Sequence, residues 1–166
     1  MSIYSFSDPL IKKVIHAIKY FHRKDLIEPL TEELAKELSK IISSGSYNLV
    51  PNTYLLVPIP MPLLRKYMRG YNQAEIIAIE LSKKCSLPLN TKILVRKKSP
   101  KRQVTTKTKG ERLRNQHNTF EVIGNTQGKH IILVDDVTTT GATLFEARNV
   151  LLKAGANTVR AVTLAH

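Results

Sequence analysis

Cysteine, tryptophan and acidic residues are scarce in this chain of 166 residues. The single cysteine, Cys85, excludes an internal disulfide framework and a four-cysteine zinc site built from this chain alone, so no zinc is expected. No run of about 18 uncharged apolar residues is present, which excludes a membrane span. The N-terminus, MSIYSFSDPL, lacks the basic and apolar regions of a secretory signal. These absences favour a protein of the reducing cytoplasm.

The shortage of acidic residues leaves a strong positive charge. Asp and Glu number 13 against 26 Lys and Arg, which gives a formal net charge of +13. Such a charge indicates a polyanionic partner: nucleic acid, anionic lipid or a phosphorylated small molecule. The stretch from Lys92 to Arg114 is the most basic part, and Glu111 is its only acidic residue.

The length suits one domain over residues 1–166, which we divide into an N-terminal helical part (1–50) and a core (51–166). Apolar residues at helical spacing predict helices that begin at Asp8 and Asp25 and helices over Asn72–Lys84 and Ala142–Ala154. Short apolar runs predict strands at Tyr54–Val57, Ile93–Val95, Thr119–Ile123, Ile131–Val134 and Val159–Leu164. This alternation predicts an α/β fold with a mostly parallel sheet, whose ligands bind beyond the carboxyl ends of the strands.

The stretch from Arg96 to Gly110 interrupts this pattern. It has almost no apolar residues and is rich in Lys and Thr. We expect a long mobile loop, and loops of this length in compact domains are usually functional or disordered.

The most informative segment runs from Ile131 to Thr143. Four apolar residues lead to adjacent carboxylates, Asp135 and Asp136, and a Thr-rich turn with Gly141 then begins a helix. Unpaired amides and the dipole at a helix N-terminus favour a phosphate, whereas the acid pair suits neutral hydroxyls or a hard cation such as Mg²⁺. The inferred ligand is a sugar phosphate. Adjacent Asp residues after a strand also occur in receiver domains and ATPases, but the chain has no G-x-x-x-x-G-K-[ST] segment.

The string from Ile131 to Thr143 resembles the phosphoribosyl-pyrophosphate (PRPP) motif of type I phosphoribosyltransferases, and further segments narrow the resemblance to the ComF family of competence-associated homologues. The matching segments are Val57–Pro60 with Arg65 and Arg69–Ala74; Gln103, Arg112, Asn115 and Phe120; and Ile15, Lys19 and Tyr20. They follow the order of the family over nearly the whole chain. The Cys-rich zinc segment with which family members usually begin has no counterpart in this sequence.

The resemblance implies a role for each part of the site. Asp135 and Asp136, the catalytic pair that the resemblance implies, would hold the ribose 2′- and 3′-hydroxyls and would contact Mg²⁺ through the ligand or through water. A loop of six residues would surround the 5-phosphate: Thr138, Thr139, Thr140, Gly141, Ala142 and Thr143. The turn formed by Pro58, Ile59, Pro60 and Met61 matches the pyrophosphate loop, and Arg96–Gly110 matches the flexible loop. The basic and flexible-loop residues assigned to the site are Arg65, Arg69, Lys101, Arg102, Gln103 and Arg112.

Two functions are consistent with this pattern. One is Mg²⁺-dependent transfer of ribose 5-phosphate from PRPP to an unidentified nitrogenous base, with release of pyrophosphate. The other is a non-catalytic PRPP- or nucleotide-binding module that binds single-stranded DNA or partners of the competence and DNA-uptake machinery. No general base can be identified from the sequence.

Overall fold

The computed structural model describes residues 1–43, 53–97 and 119–166. The helices in these ranges are α1 (Pro9–Tyr20), α2 (Ile27–Ser43), α3 (Leu63–Arg69), α4 (Gln73–Cys85) and α5 (Ala142–Lys153). The strands are β1 (Ser2–Tyr4), β2 (Tyr54–Pro58), β3 (Leu94–Arg96), β4 (Phe120–Val122), β5 (His130–Val137) and β6 (Thr158–Ala165).

Four strands form a parallel sheet in the order β1-β6-β5-β2. The apolar run at the start of β5 alternates between the two faces of this sheet. Ile132 and Val134 pack with α1, α2 and α4, whereas Ile131 and Leu133 pack with α5 and the β3–β4 pair. A strand covered on both faces needs apolar residues at consecutive positions, which explains the run. The predicted α/β architecture is confirmed.

Two predicted strands lie outside this sheet. β3 and β4 pair with each other in an antiparallel arrangement, with Leu94 opposite Val122 and Arg96 opposite Phe120. The sequence predicted a strand near Ile93–Val95 and another near Thr119–Ile123, but it did not predict that the two would pair with each other apart from the parallel sheet. Apolar runs of three to five residues do not encode their pairing partner, which long-range packing decides.

The structure corrects other element boundaries. The second helix begins at Ile27 after a 3₁₀ turn at Lys24–Leu26, rather than at Asp25. The N-terminal strand Ser2–Tyr4 was not predicted, and it pairs with the C-terminal strand β6. Arg96 ends β3 instead of beginning a loop. No helix among the described residues is long and apolar enough to cross a membrane.

Candidate functional site

The acid pair lies at the carboxyl end of the central strand. Asp135 and Asp136 are the sixth and seventh residues of β5, after five buried positions. The Asp135 carboxylate accepts the amide of Asp136 at 2.9 Å, and the Asp136 carboxylate accepts the amide of Val137 at 2.8 Å. Local hydrogen bonds thus orient both side chains at the sheet edge where ligands of this fold class bind.

The two carboxylates differ in their environment. Burial, and then the neighbouring Asp136 carboxylate, raise the pKa of Asp135 to about 7. The Asp136 carboxylate instead pairs with an ammonium group, because Lys19 Nζ lies 2.8 Å from its Oδ2. The acid pair therefore carries less negative charge near neutral pH than two ordinary carboxylates would.

The predicted phosphate loop connects this strand to α5. The amide of Thr138 donates to the Ala165 carbonyl at 3.1 Å, which fixes the start of the loop to the end of β6. Gly141 has φ +72°, a left-handed conformation that favours glycine, and it caps α5. The first-turn amides of a helix have no intrahelical acceptor, and α5 has no acidic residue there. This end of the helix suits a phosphate group.

The predicted pyrophosphate loop leaves β2 beside the acid pair. Pro58 pairs with Val134 in the sheet, and the Ile59 amide donates to the Val134 carbonyl at 2.8 Å. Buried Asn72 donates its Nδ2 to the Ile59 carbonyl at 2.9 Å. This contact ties the loop to the start of α4, so that the Arg69–Ala74 block supports the site from outside it.

Arg96 makes a second contact with this loop. Its Nε donates to the Pro60 carbonyl at 2.8 Å, and its guanidinium carbon lies 4.9 Å from the centre of the Phe120 ring. Burial lowers the pKa of this guanidinium. The Glu146 carboxylate opposes this shift, and the smaller effects of Arg65 and Asp135 act in opposite directions. Arg96 therefore joins the β3–β4 pair to the pyrophosphate loop close to the acid pair.

Two of the basic residues assigned to the site lie on one helix. Arg65 and Arg69 lie on α3, which follows the pyrophosphate loop directly. Arg65 is exposed, whereas the Arg69 guanidinium carbon lies 5.2 Å from the centre of the Tyr20 ring. The two arginines therefore have different surroundings, and only Arg65 presents an open guanidinium next to the loop.

Not all of the predicted site residues can be placed. Lys101, Arg102, Gln103 and Arg112, with most of the Arg96–Gly110 stretch, lie outside the described residues. Sequence reasoning gave no individual role to Lys19, Asn72 or Arg96, although the first two lie in matching family segments. Residue type alone did not reveal their contacts, which form between elements distant in the sequence.

Comparison with protein families identifies the class. The family model for the phosphoribosyl transferase domain matches residues 67–166, which is more than half of the chain. The chain therefore belongs to this family. Two solved hypoxanthine phosphoribosyltransferases share the fold. That from Staphylococcus aureus has a TM-score of 0.53 at 15% identity, with 84% of this chain and 62% of that one covered. That from Trypanosoma cruzi has a TM-score of 0.52 at 13% identity, with 84% and 64% covered.

Similarity to curated proteins indicates a particular group within the family. The chain is 32% identical over 165 residues to Competence protein ComFC of Bacillus subtilis, covering 98% of this chain and 62% of that protein. It is 28% identical over 152 residues to DNA utilization protein YhgH of Escherichia coli O157:H7, covering 92% and 65%. The chain thus spans somewhat less than two thirds of the length of these relatives. The predicted resemblance to the competence family is confirmed.

The donor set at the acid pair fits Mg²⁺ only in part. Carboxylate oxygens suit this ion, but the described residues contain no group of three or more His, Cys, Asp or Glu that could enclose a metal. Mg²⁺ is usually held by one or two carboxylates together with substrate phosphates. Asp135 and Asp136 would hold it in this way, and it would neutralise charge on a bound diphosphate.

Proposed function

We propose that this protein binds PRPP with Mg²⁺ and transfers its ribose 5-phosphate to a nitrogenous base, releasing pyrophosphate. The observation that carries the proposal is the arrangement at the end of β5. An acid pair, a Thr-rich turn and a helix N-terminus follow one another, with the Pro58–Met61 turn beside them. In such a site the carboxylates can accept hydrogen bonds from a ribose diol. The helix N-terminus and the neighbouring turn can bind the phosphates on the two sides of the ribose.

Each segment has a role in this proposal. The carboxylates of Asp135 and Asp136 accept hydrogen bonds from the ribose hydroxyls. Residues Thr138–Thr143 donate to the 5-phosphate from backbone amides and hydroxyls. The Pro58–Met61 turn and the cations Arg65 and Arg96 lie where the leaving diphosphate develops negative charge. Catalysis then rests on positioning and charge stabilisation.

Calorimetry with PRPP and Mg²⁺ tests binding. We expect the wild-type protein to bind, and the double variant Asp135→Asn with Asp136→Asn to lose measurable binding, because amides replace the charged acceptors. The double variant Glu33→Gln with Glu37→Gln changes two exposed carboxylates on α2 and serves as the matched control. Absence of heat with the wild-type protein would refute the proposal.

Transfer is tested separately from binding. Free purine and pyrimidine bases are supplied with PRPP and Mg²⁺, and released pyrophosphate is measured. A base that gives release with the wild type and not with the double Asp variant identifies the acceptor. Binding without release for any base would support the non-catalytic module instead.

A second candidate, binding of single-stranded DNA, is favoured by the surface of α3. Four large apolar side chains on this helix are exposed, among them Tyr67 at 89%. Arg65 and Lys66 lie between these apolar residues in the sequence of the helix. Basic residues next to an exposed aromatic side chain suit a nucleic-acid strand. The relatives named for competence and DNA utilization support this candidate. Both functions are proposed for the cytoplasm, which the single cysteine favours.

A further inference from the structure

A lysine from the N-terminal helix reaches the acid pair. Lys19 Nζ lies 2.8 Å from Asp136 Oδ2, and the two side chains are only 22% and 17% exposed. The Lys36–Glu33 pair, by contrast, joins residues one turn apart on α2, with both side chains more than half exposed. The Lys19–Asp136 pair instead joins α1 to the end of the central strand, where water screens the charges less.

The end of α1 is held in place by its own packing. Ile15 and Ile18 are buried in the core. The hydroxyl of buried Tyr71 donates to the Ile18 carbonyl, which links α1 to the Arg69–Ala74 block. Lys19 is the basic residue in the last turn of α1, where the helix dipole favours a cation. Its position at Asp136 therefore follows from the docking of the whole helix.

Both carboxylate oxygens of Asp136 already have a partner within the protein. Oδ1 accepts the Val137 amide at 2.8 Å, and Oδ2 faces the Lys19 ammonium. A divalent cation that approaches Asp136 therefore meets a positive charge at contact distance from the same oxygen. At such a distance in a partly buried site, the repulsion between the ammonium and the metal ion opposes binding of the metal.

We propose that Lys19 neutralises Asp136 in the ribose site, where its ammonium occupies the place that a divalent cation would take. In the metal-free protein, Lys19 also orients the Asp136 carboxylate toward the ribose hydroxyls. The proposal rests on the proposed function, because it concerns the same ribose site. It makes Lys19 a positioning residue and assigns α1 to the binding site. It also predicts that PRPP binding depends less on the metal ion than it would if the acid pair had no lysine beside it.

The first test measures Mn²⁺ binding without any sugar phosphate, by electron paramagnetic resonance of the free ion. We expect Lys19→Met to bind Mn²⁺ about tenfold more tightly than the wild type, because the competing charge is removed. Lys19→Arg keeps the charge and should stay near the wild-type affinity. Lys13→Met changes an exposed lysine on the same helix and is the matched control. Lys19→Met combined with Asp136→Asn should lose the gain.

The second test measures PRPP binding in EDTA and then in Mg²⁺. In EDTA we expect Lys19→Met to bind PRPP about tenfold more weakly than the wild type, because Asp136 has lost its counter-charge and its orientation. Mg²⁺ should reduce the difference in PRPP affinity between Lys19→Met and the wild type, because the metal can then bind Asp136 where the ammonium was. A merely structural ion pair would weaken PRPP binding equally under both conditions. Thermal unfolding followed by circular dichroism checks that each variant is folded.

The two tests separate the two proposals. Failure of the wild type to bind PRPP would refute the proposed function, while the Mn²⁺ titration would still report on Lys19. Unchanged or weaker Mn²⁺ binding by folded Lys19→Met would overturn the role of Lys19 even if PRPP binds. An equal loss of PRPP affinity in EDTA and in Mg²⁺ would also overturn it.

Discussion

Asp135 is the residue in which burial and charge conflict most clearly. It follows five buried residues of the central strand and lies beside a second carboxylate. Both features penalise its ionised form, which is why its pKa is raised to about 7. The fold tolerates this penalty at a position that we propose for ligand binding. An acid pair with less than its full negative charge can accept hydrogen bonds from hydroxyl groups and repels a nearby phosphate less.

The penalty predicts a pH dependence of stability. The pKa of Asp135 is about 7 in the folded protein against 3.8 for the ordinary group, so the folded state binds a proton that the unfolded chain has already lost between these values. The contribution of Asp135 to the free energy of unfolding therefore falls as the pH rises through this window. Asp135→Asn should remove the fall and stabilise the protein at pH 8 by on the order of 4 kcal/mol, with little gain near pH 4.

Urea denaturation at several pH values in EDTA measures this effect. Asp25→Asn provides the control, because Asp25 is exposed and the hydrogen bond from Arg23 lowers its pKa, so no gain is expected at pH 8. Stability curves for wild type and Asp135→Asn that run parallel from pH 4 to pH 8 would contradict the raised pKa.

At the scale of elements, the pyrophosphate loop depends on helix α4. Residues Pro58–Met61 contain two prolines, which restrict the backbone but remove amide donors. The loop is held instead by hydrogen bonds from outside: Asn72 to the Ile59 carbonyl and Arg96 to the Pro60 carbonyl. The Arg69–Ala74 block thus acts on the site through the loop that it supports.

Asn72→Ala tests this support. The change leaves the buried Ile59 carbonyl without its side-chain donor, so we expect the free energy of unfolding to fall by about 1–3 kcal/mol. PRPP affinity should fall as well, because the loop is no longer fixed beside the acid pair. Calorimetry and urea denaturation measure the two effects. Asn125→Ala removes a side-chain bond to the Gln127 amide in a remote turn and should leave PRPP affinity unchanged.

At the scale of the whole molecule, the net charge of +13 exceeds what the proposed PRPP site would use. Among the described residues, the site includes Lys19 at the acid pair, the exposed Arg65 beside the loop and the half-buried Arg96. Much of the remaining charge lies between Lys92 and Arg114, mostly outside the described residues, and on α3. The excess is the feature that a DNA-binding function would explain.

Salt dependence distinguishes a DNA surface from the sugar-phosphate site. Affinity for oligothymidylate should fall steeply with salt, and Arg65→Gln with Lys66→Gln on α3 should reduce the slope of log affinity against log salt by about 1–2. Lys36→Gln with Lys40→Gln removes two charges that are paired on α2 and should leave the slope unchanged. Asp135→Asn with Asp136→Asn should not weaken DNA binding. A slope that does not respond to the α3 variant would contradict a role for this helix.

The sequence by itself determined the parts of the protein that are built from neighbouring residues. The apolar run of β5, the acid pair, the Thr-rich turn and the helix are contiguous, so their order can be read from the sequence. They form the proposed phosphate end of the site. Helical spacing likewise predicted the start of α1 at its cap, Asp8, and both ends of α4 to within one residue. Local sequence is sufficient in these cases because the interactions are local: alternation, capping and turn chemistry.

Only the tertiary structure decided which distant residues meet. It separated β3 and β4 from the parallel sheet, placed Asn72 and Arg96 on the pyrophosphate loop, and brought Lys19 to Asp136. Each of these contacts depends on how whole helices and strands pack, and a lysine in the last turn of a helix has the same local pattern whether it faces solvent or a carboxylate. The physical reason is that burial and long-range packing, rather than local propensity, fix the partner of a charged side chain.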